Sequence, residues 1–460
     1  MRCNGLLIGS VLLGLIAAPL EAQGFNIFEH GSCQMGRAGT GMAAPCDDAS
    51  AVFFNPAAIA GTSGLTITAG GILIDVSGGF TDDLTQTRTA LQNDIIPVPY
   101  VYATLGLSDN LGAGLGLFVP YGLGTEWPET FEGRFSGYDN SLQSIYIQPT
   151  LAYRLSDRLS IGGGLDVVIG SVTLKQHLDL SEFQVPGAGI LFGTIGIPFH
   201  TAFANAELTA DGATGYGGHV AVLLELSDRL SIAARYMSRV TLDYDGTAEF
   251  TQIDTGILLS AGNPFGVPAG TPLDVLIATA FLADSVLSNQ TGSTSITMPD
   301  QLVAGLSFEA SRRLMLHADY QFTNWSLHDR VELVFGNPLT PNKTLVENYE
   351  DTHAFRVGFD YDVSDGLTFR GGYLYHPPAA PDEVVTAVLP EATRNEATVG
   401  LGIDLGRSLR VDAAYQAIWQ EDRRGRVREP FLIDNPTTDL NSGVYDFFGQ
   451  LMGVTLTLKL

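Results

Sequence analysis

Few residues in this chain are of types that do chemistry. Its eight histidines stand at 30, 177, 200, 219, 317, 328, 353 and 376, scattered and without metal-like pairing. A serine hydrolase on a barrel wall would need His, Ser and an Asn or Asp gathered at one level, and no such gathering is visible. An enzyme, a metal centre and a bound cofactor are therefore not expected. Ionic chemistry is the better prospect. Arg235, Arg356, Arg370 and Arg410, with His317, could meet the carboxylate of a lipid, or could neutralise acids such as Asp166, Asp319, Asp360 and Asp412. Which of these can meet depends on the elements that carry them.

The chain has 460 residues, with 50 Asp and Glu against 24 Lys and Arg and a formal charge of −26. So acidic a chain, whose lysines are only Lys175, Lys343 and Lys459, lacks the basic patch that nucleic acid requires. The N-terminus, "MRCNGLLIGSVLLGLIAAPLEAQ", carries a short apolar core from Leu6 to Ala18 followed by small residues. It reads as a secretory signal over residues 1–22, cut after Ala22. A membrane anchor would need ~20 apolar residues. After the signal no segment is apolar enough to form a transmembrane helix.

Six segments repeat one pattern: "LSDNLGAG", "LSDRLSIG", "LSDRLSIA", "ASRRLMLH", "VSDGLTFR" and "LGRSLRVD". Each is a tight polar turn between apolar residues, flanked by alternation of period two. After the second turn, for example, Leu159, Ile161, Leu165, Val167 and Ile169 share one face, opposite Ser160, Gly162, Gly164 and Asp166. The pattern gives fourteen strands, at about 65–77, 96–107, 111–122, 142–155, 159–172, 213–226, 230–244, 296–309, 314–327, 352–363, 367–377, 394–405, 409–420 and 446–460. Connections alternate short and long, the long ones falling at 78–95, 123–141, 173–212, 245–295, 328–351, 378–393 and 421–445. An even strand count with short turns at one end and long loops at the other predicts an all-β fold, a 14-stranded antiparallel transmembrane β-barrel of the bacterial outer membrane. Its apolar face would meet outer-membrane lipid and lipopolysaccharide. The rival of an open porin would need a constricting loop.

Two long loops are unusually apolar. Residues 173–212 include Phe192, Ile195, Phe199 and Phe203, and in 245–295 Leu273, Leu276, Ala280 and Leu287 recur at helical spacing. They could pack on each other over the barrel mouth or form a groove for an apolar molecule. In the third strand, "LGAGLGLFVPYGLG", Gly112, Gly114, Gly116 and Pro120 mark a bend or interrupted pairing. The glycines could equally make room for something inside the lumen. Residues 23–64 precede the first strand, lack alternation and suffice to plug fourteen strands.

That segment, with Gly24-Phe25, Gly36-Arg37-Ala38, Asp47-Asp48-Ala49 and Asn55-Pro56-Ala57 in order, resembles the N-terminal hatch of the FadL family of long-chain fatty-acid and hydrocarbon transporters. The resemblance extends to the strand plan and to "FVPYGLGTEWPETFEGRF", although the chain ends on Leu460 where many such barrels end on an aromatic residue. It implies a hatch over 23–64 inside a barrel over 65–460. Asn55, Pro56 and Ala57 would hold the hatch against the wall opposite a kink in the third strand, and the segment near Phe25 would act as a gate. It further implies capture of a hydrophobic molecule on the apolar outer loops by residues such as Phe192, Ile195, Phe199, Phe203, Leu276 and Leu287. Exit would be sideways through a wall gap at the third strand, and Arg235, Arg356 and Arg370 are the candidates for a carboxylate contact. Long-chain fatty acids are the expected cargo, uncharged aromatic hydrocarbons the alternative, and a monomer the expected state. Cys33 and Cys46, both in the hatch of an exported protein, are expected to form a disulfide, the alternative being two buried thiols.

Overall fold

The computed structural model describes residues 24–185, 188–427 and 437–460. The expected signal at 1–22 lies outside them. Fourteen antiparallel strands close on themselves. They are β1 (Leu65–Asp82), β2 (Ile96–Ser108), β3 (Leu111–Glu126), β4 (Asp139–Ser156), β5 (Leu159–Asp179) and β6 (Ala202–Ser227). Next come β7 (Leu230–Met237, continued as Val240–Gln252), β8 (Gln290–Met298, continued as Gln301–Ser311), β9 (Leu314–Thr323) and β10 (Thr352–Ser364). The last four are β11 (Leu367–His376), β12 (Arg394–Leu405), β13 (Leu409–Gln420) and β14 (Gly443–Lys459). Each pairs with its neighbours in sequence, and β14 pairs with β1 from Thr66↔Lys459 to Asp82↔Gly443.

Alternation becomes inside and outside. On β14, Met452, Val454, Leu456 and Leu458 point outward while Leu451, Thr455 and Thr457 are buried inward. The outward row suits hydrocarbon, where all backbone polar groups must be satisfied within the closed ladder. Above the lipid both strand faces meet water or loop, so the alternation lapses while the pairing goes on. Hence β5 and β6 continue through the expected loop 173–212, tied by pairs such as Lys175↔Glu207. Likewise β7 and β8 extend into 245–295. The helical spacing in that loop yields a single α-turn, Leu273–Ile277, followed by a 3-10 turn, Ala278–Phe281, before the chain extends at Leu282.

Residues 24–64 fill the lumen with three short helical turns, Ser32–Met35, Ala51–Phe54 and Pro56–Ile59. Inward side chains from around the wall bind their backbone. Thr455 of β14 accepts from Ser32 N (2.9 Å), Thr398 of β12 from Ala38 N (2.9 Å), Asp319 of β9 from Met42 N (3.0 Å) and Thr68 of β1 from Ala49 N (2.9 Å). At several points glycines in the wall let the hatch backbone come close. A Cβ at Gly112 would stand 2.0 Å from Ile59 O, and one at Gly162 would stand 2.5 Å from the Pro56 carbonyl carbon. Cys33 and Cys46 are joined by a disulfide with Cα atoms 6.3 Å apart.

Candidate functional site

The wall is not continuous. The β2–β3 ladder stops at Val101↔Leu117. Above it, β2 stays with β1 as far as Ile96↔Ile74. After a bulge between Phe118 and Tyr121, β3 stays with β4 as far as Glu126↔Asp139. Pro120, which has no N–H to give a ladder, sits in that bulge. The hatch takes up part of what the strands release: Ile27 N donates to Pro120 O (2.8 Å), and Gly122 N donates to Phe25 O (2.9 Å). An opening of about 490 Å³ lies there, lined by Ile96, Pro97 and Val98 on one side and Val119, Gly122 and Gly124 on the other.

Two further cavities lead to it. An outer groove of about 830 Å³ is lined by Phe183, Val185, Phe250, Val286, Leu287 and Phe335, among others. Beneath it a central cavity of about 160 Å³ is bounded by Val172, Ile296, Val331, Tyr349 and Val388. Leu208 and Leu333 line both groove and central cavity. Phe25, Leu123, Ser141, Leu142 and Leu389 line both the central cavity and the opening. The three spaces thus stand in series, with the Phe25 ring on the last boundary, edge-on to Trp325 at 4.7 Å. Burial holds the His328 imidazole in the central lining down to about 4, so it is neutral, and pushes the Tyr349 phenol well above its ordinary value. Among the described residues no Lys or Arg lines this cavity.

The arginines do something else. Arg235 donates to Phe53 O and lies over the Phe53 ring at 4.4 Å. Arg356 lies over Phe28 at 4.0 Å and bonds His376 (3.3 Å). Arg370 pairs with Asp360 (2.8 Å) and Asp412 (2.7 Å), and hatch Arg37 also pairs with Asp360. None of Arg235, Arg356 and Arg370 lines the groove, the central cavity or the opening. Gly112, Gly114 and Gly116 lie below the opening, in paired ladder, where they admit Ile59, Val52 and the Tyr102 ring. Asn55 is fully buried; its Oδ1 accepts from Ala57 N (3.0 Å) and its Nδ2 donates to Met42 O (2.7 Å). Pro56 and Ala57 abut β5 at Gly162, so the hatch residues facing the β3 kink are Phe25 to Ile27 instead. In the outer loops Phe192 and Phe203 are buried in a shared cluster, with Ile195 and Leu276 packed on it. Phe199 is exposed and stacked on His200, and Leu287 lines the groove.

Residues that sequence reasoning passed over, such as Leu208, Leu333 and Leu389, join the spaces. The run "VVTAVL" at 384–389 was the available signal, an apolar stretch inside a long outer loop. One set of side chains has the order of a hydrolytic relay, with Asp166 on His219 Nδ1 (2.8 Å) and Thr150 on Nε2 (3.0 Å). All three are buried and none borders the three spaces. The cluster of metal-ligating types at Cys33, Cys46 and Asp48 has both its sulfurs in the disulfide.

Residues 13–439 match the family described as outer membrane protein transport protein (OMPP1/FadL/TodX). A long-chain fatty acid transport protein of Salmonella typhi is 25% identical over 413 residues, 88% of this chain and 89% of that one. Outer membrane protein P1 of Haemophilus influenzae is 24% identical over 443 residues, 90% of this chain and 89% of that one. Among solved structures, a Pseudomonas aeruginosa FadL homologue superposes with a TM-score of 0.76 at 22% identity, covering 95% of this chain and all of that one. The Pseudomonas putida toluene transporter TodX gives 0.67 at 19% identity, covering 96% and 99%. At these identities the structures share the fold.

Proposed function

Because this chain belongs to the OMPP1/FadL/TodX family, and so is a bacterial outer-membrane transporter of hydrophobic molecules, we propose that it takes up long-chain fatty acids by lateral release. The molecule adsorbs in the outer groove, moves to the central cavity, and passes Phe25 to the opening between β2 and β3. From there it enters the membrane. The observation that carries this reading is the run of three spaces joined by shared lining residues. Energetics support a lipid exit. An apolar molecule gains ~25 cal/mol for each Å² kept from water, so release to the periplasm would oppose its own driving force. The hatch occupies the axial path, and the apolar outer face fits a monomer standing in lipid and lipopolysaccharide.

A second reading, uptake of uncharged aromatic hydrocarbons by the same route, is favoured by a central lining without Lys or Arg among the described residues. Competition of toluene against labelled oleate separates the two. The lateral route is tested with Gly124→Phe. A Cβ at Gly124 meets only the Ile96 side chain, its nearest atom at 2.9 Å, so the ring fills the opening. Uptake should be lost while the heat-modifiable barrel still assembles; undiminished uptake in that variant ends the lateral reading.

A further inference from the structure

The route for cargo holds almost no positive charge. Among the described residues the central cavity has no Lys or Arg in its lining, and the opening has one, Arg394. Arg37, Arg370 and Arg410 are each paired with aspartates, and Arg235 and Arg356 lie over hatch rings. Arg394 differs from all of them. It is partly exposed, it forms no ion pair among the described residues, and the one hydrogen bond of its side chain runs from Nε to Gln420 Oε1 (3.3 Å).

Acids stand close by, yet none takes the guanidinium. Glu391 and Glu29 share the lining with it. Glu391 Oε1 accepts from Ala379 N (2.8 Å) and Ala380 N (2.7 Å). Glu29 accepts from Gln416 Nε2 (3.0 Å) and from Phe28 N (3.0 Å). Glu396, the next inward residue of β12, feels the charge of Arg394 but bonds Gln416 and faces His376 (3.5 Å). In a chain with 50 Asp and Glu against 24 Lys and Arg, a guanidinium left without a carboxylate on a cavity wall is an exception. Its planar fork matches a carboxylate through two parallel bonds.

Its position sets the direction in which a ligand would lie. Arg394 opens β12 and is paired with Gln420 of β13, so both stand at one end of the opening. The far end is the unpaired edge, with Ile96 and Val98 of β2 and Val119 and Gly122 of β3. The strands between contribute apolar side chains, Ile418 from β13, Leu451 from β14 and Ile74 from β1. A carboxylate on Arg394 therefore points its alkyl chain at the gap. A hydrocarbon finds the same apolar lining but has nothing to give the guanidinium.

We propose that Arg394 is the specificity-determining residue of the opening, holding the carboxylate of a long-chain fatty acid while the alkyl chain lies toward the gap between β2 and β3. The inference rests on the uptake reading and deepens it: acids are told from hydrocarbons at the exit, beyond a central cavity lined by no cation among the described residues.

The test compares palmitate and hexadecane on the purified mature protein at about pH 9, where the acid is ionised. Affinity is read from tryptophan fluorescence. Arg394→Gln keeps a donor for Gln420 but loses the charge. It should weaken palmitate by about 30-fold and leave hexadecane within about twofold. Arg394→Lys, with the charge but no fork, should fall in between. In the unaltered protein phenylglyoxal should modify Arg394, mapped by peptide mass, and saturating palmitate should slow that modification about tenfold more than saturating hexadecane. Unchanged palmitate affinity in Arg394→Gln, an equal loss of both ligands, no modification of Arg394, or equal protection by the two would overturn the assignment while sparing the uptake reading. Should the Gln variant fail to assemble, the labelling alone decides. Failure of the unaltered protein to bind either ligand would overturn both.

Discussion

Asn55→Ala should loosen the hatch without touching the wall. The Asn55 side chain makes two bonds in a fully buried setting, from Ala57 N and to Met42 O. The first caps the turn Pro56–Ile59, and losing such a cap costs about 0.5–2 kcal/mol. The second, once gone, orphans a buried carbonyl at about 1–3 kcal/mol. Taken together, about 1.5–5 kcal/mol of hatch order should go, raising local opening by about 10-fold to about 5,000-fold. Hydrogen exchange reads this directly. Amides of residues 57–62 should speed up by that factor, while those of β12 to β14 keep their protection. Asn55→Ser retains a capping oxygen but not the reach to Met42, so it should fall between the two. Exchange in Asn55→Ala within threefold of the parent would refute the view that this side chain clamps the plug.

Arg235→Leu should cost the hatch about 2–4 kcal/mol through the lost Phe53 contacts, leaving the ratio of palmitate to hexadecane affinity unchanged; a selective loss of palmitate binding would return this residue to the ligand. Replacing Cys33 and Cys46 by Ser should remove about 3 kcal/mol of hatch order, seen as faster exchange between them with heat-modifiable migration intact. Burial holds the His30 imidazole down to about 3, so the native hatch keeps it neutral. Its contribution is full above the ordinary value of 6.5 and is lost as pH falls toward 3, so His30→Gln should flatten the acid limb of hatch exchange, corrected for intrinsic rates. Glu29 acts with the opposite sign. Burial, then Glu396, raise its carboxyl, so its contribution is full below about 4.5 and is lost as pH rises through the raised value, and Glu29→Gln should remove that loss.

The wall could be read from the sequence because lipid on one face and hatch on the other enforce a strict two-residue period. For β12 and β13 the expected bounds, 394–405 and 409–420, coincide with those observed. For β6 they do not. Gly212, with φ of 77°, accompanies a register shift against β5, so residues before it run out of phase with those after. An extrapolated alternation therefore ends at 213, although the strand begins at Ala202. Phe25 could be singled out through its place in a recognisable hatch, and its ring stands between the central cavity and the opening. The central cavity was not, because Val172, Leu208, Tyr244, Val331 and Leu389 come from separate strands and loops, each unremarkable where it stands. Parity placed the arginines inward correctly, yet could not tell a ligand contact from a plug contact. That distinction depends on depth along the barrel, which a two-residue period does not encode.

The glycine beds and threonine hydroxyls that grip residues 24–64 surround the plug on every side. So fitted a body cannot be threaded into a finished cylinder. Plug and wall are therefore expected to take shape together. The seam between Thr66–Asp82 and Gly443–Lys459 joins the first strand to the fourteenth, so its closure is the step that would enclose the plug. The hatch would then serve as the mandrel for the barrel.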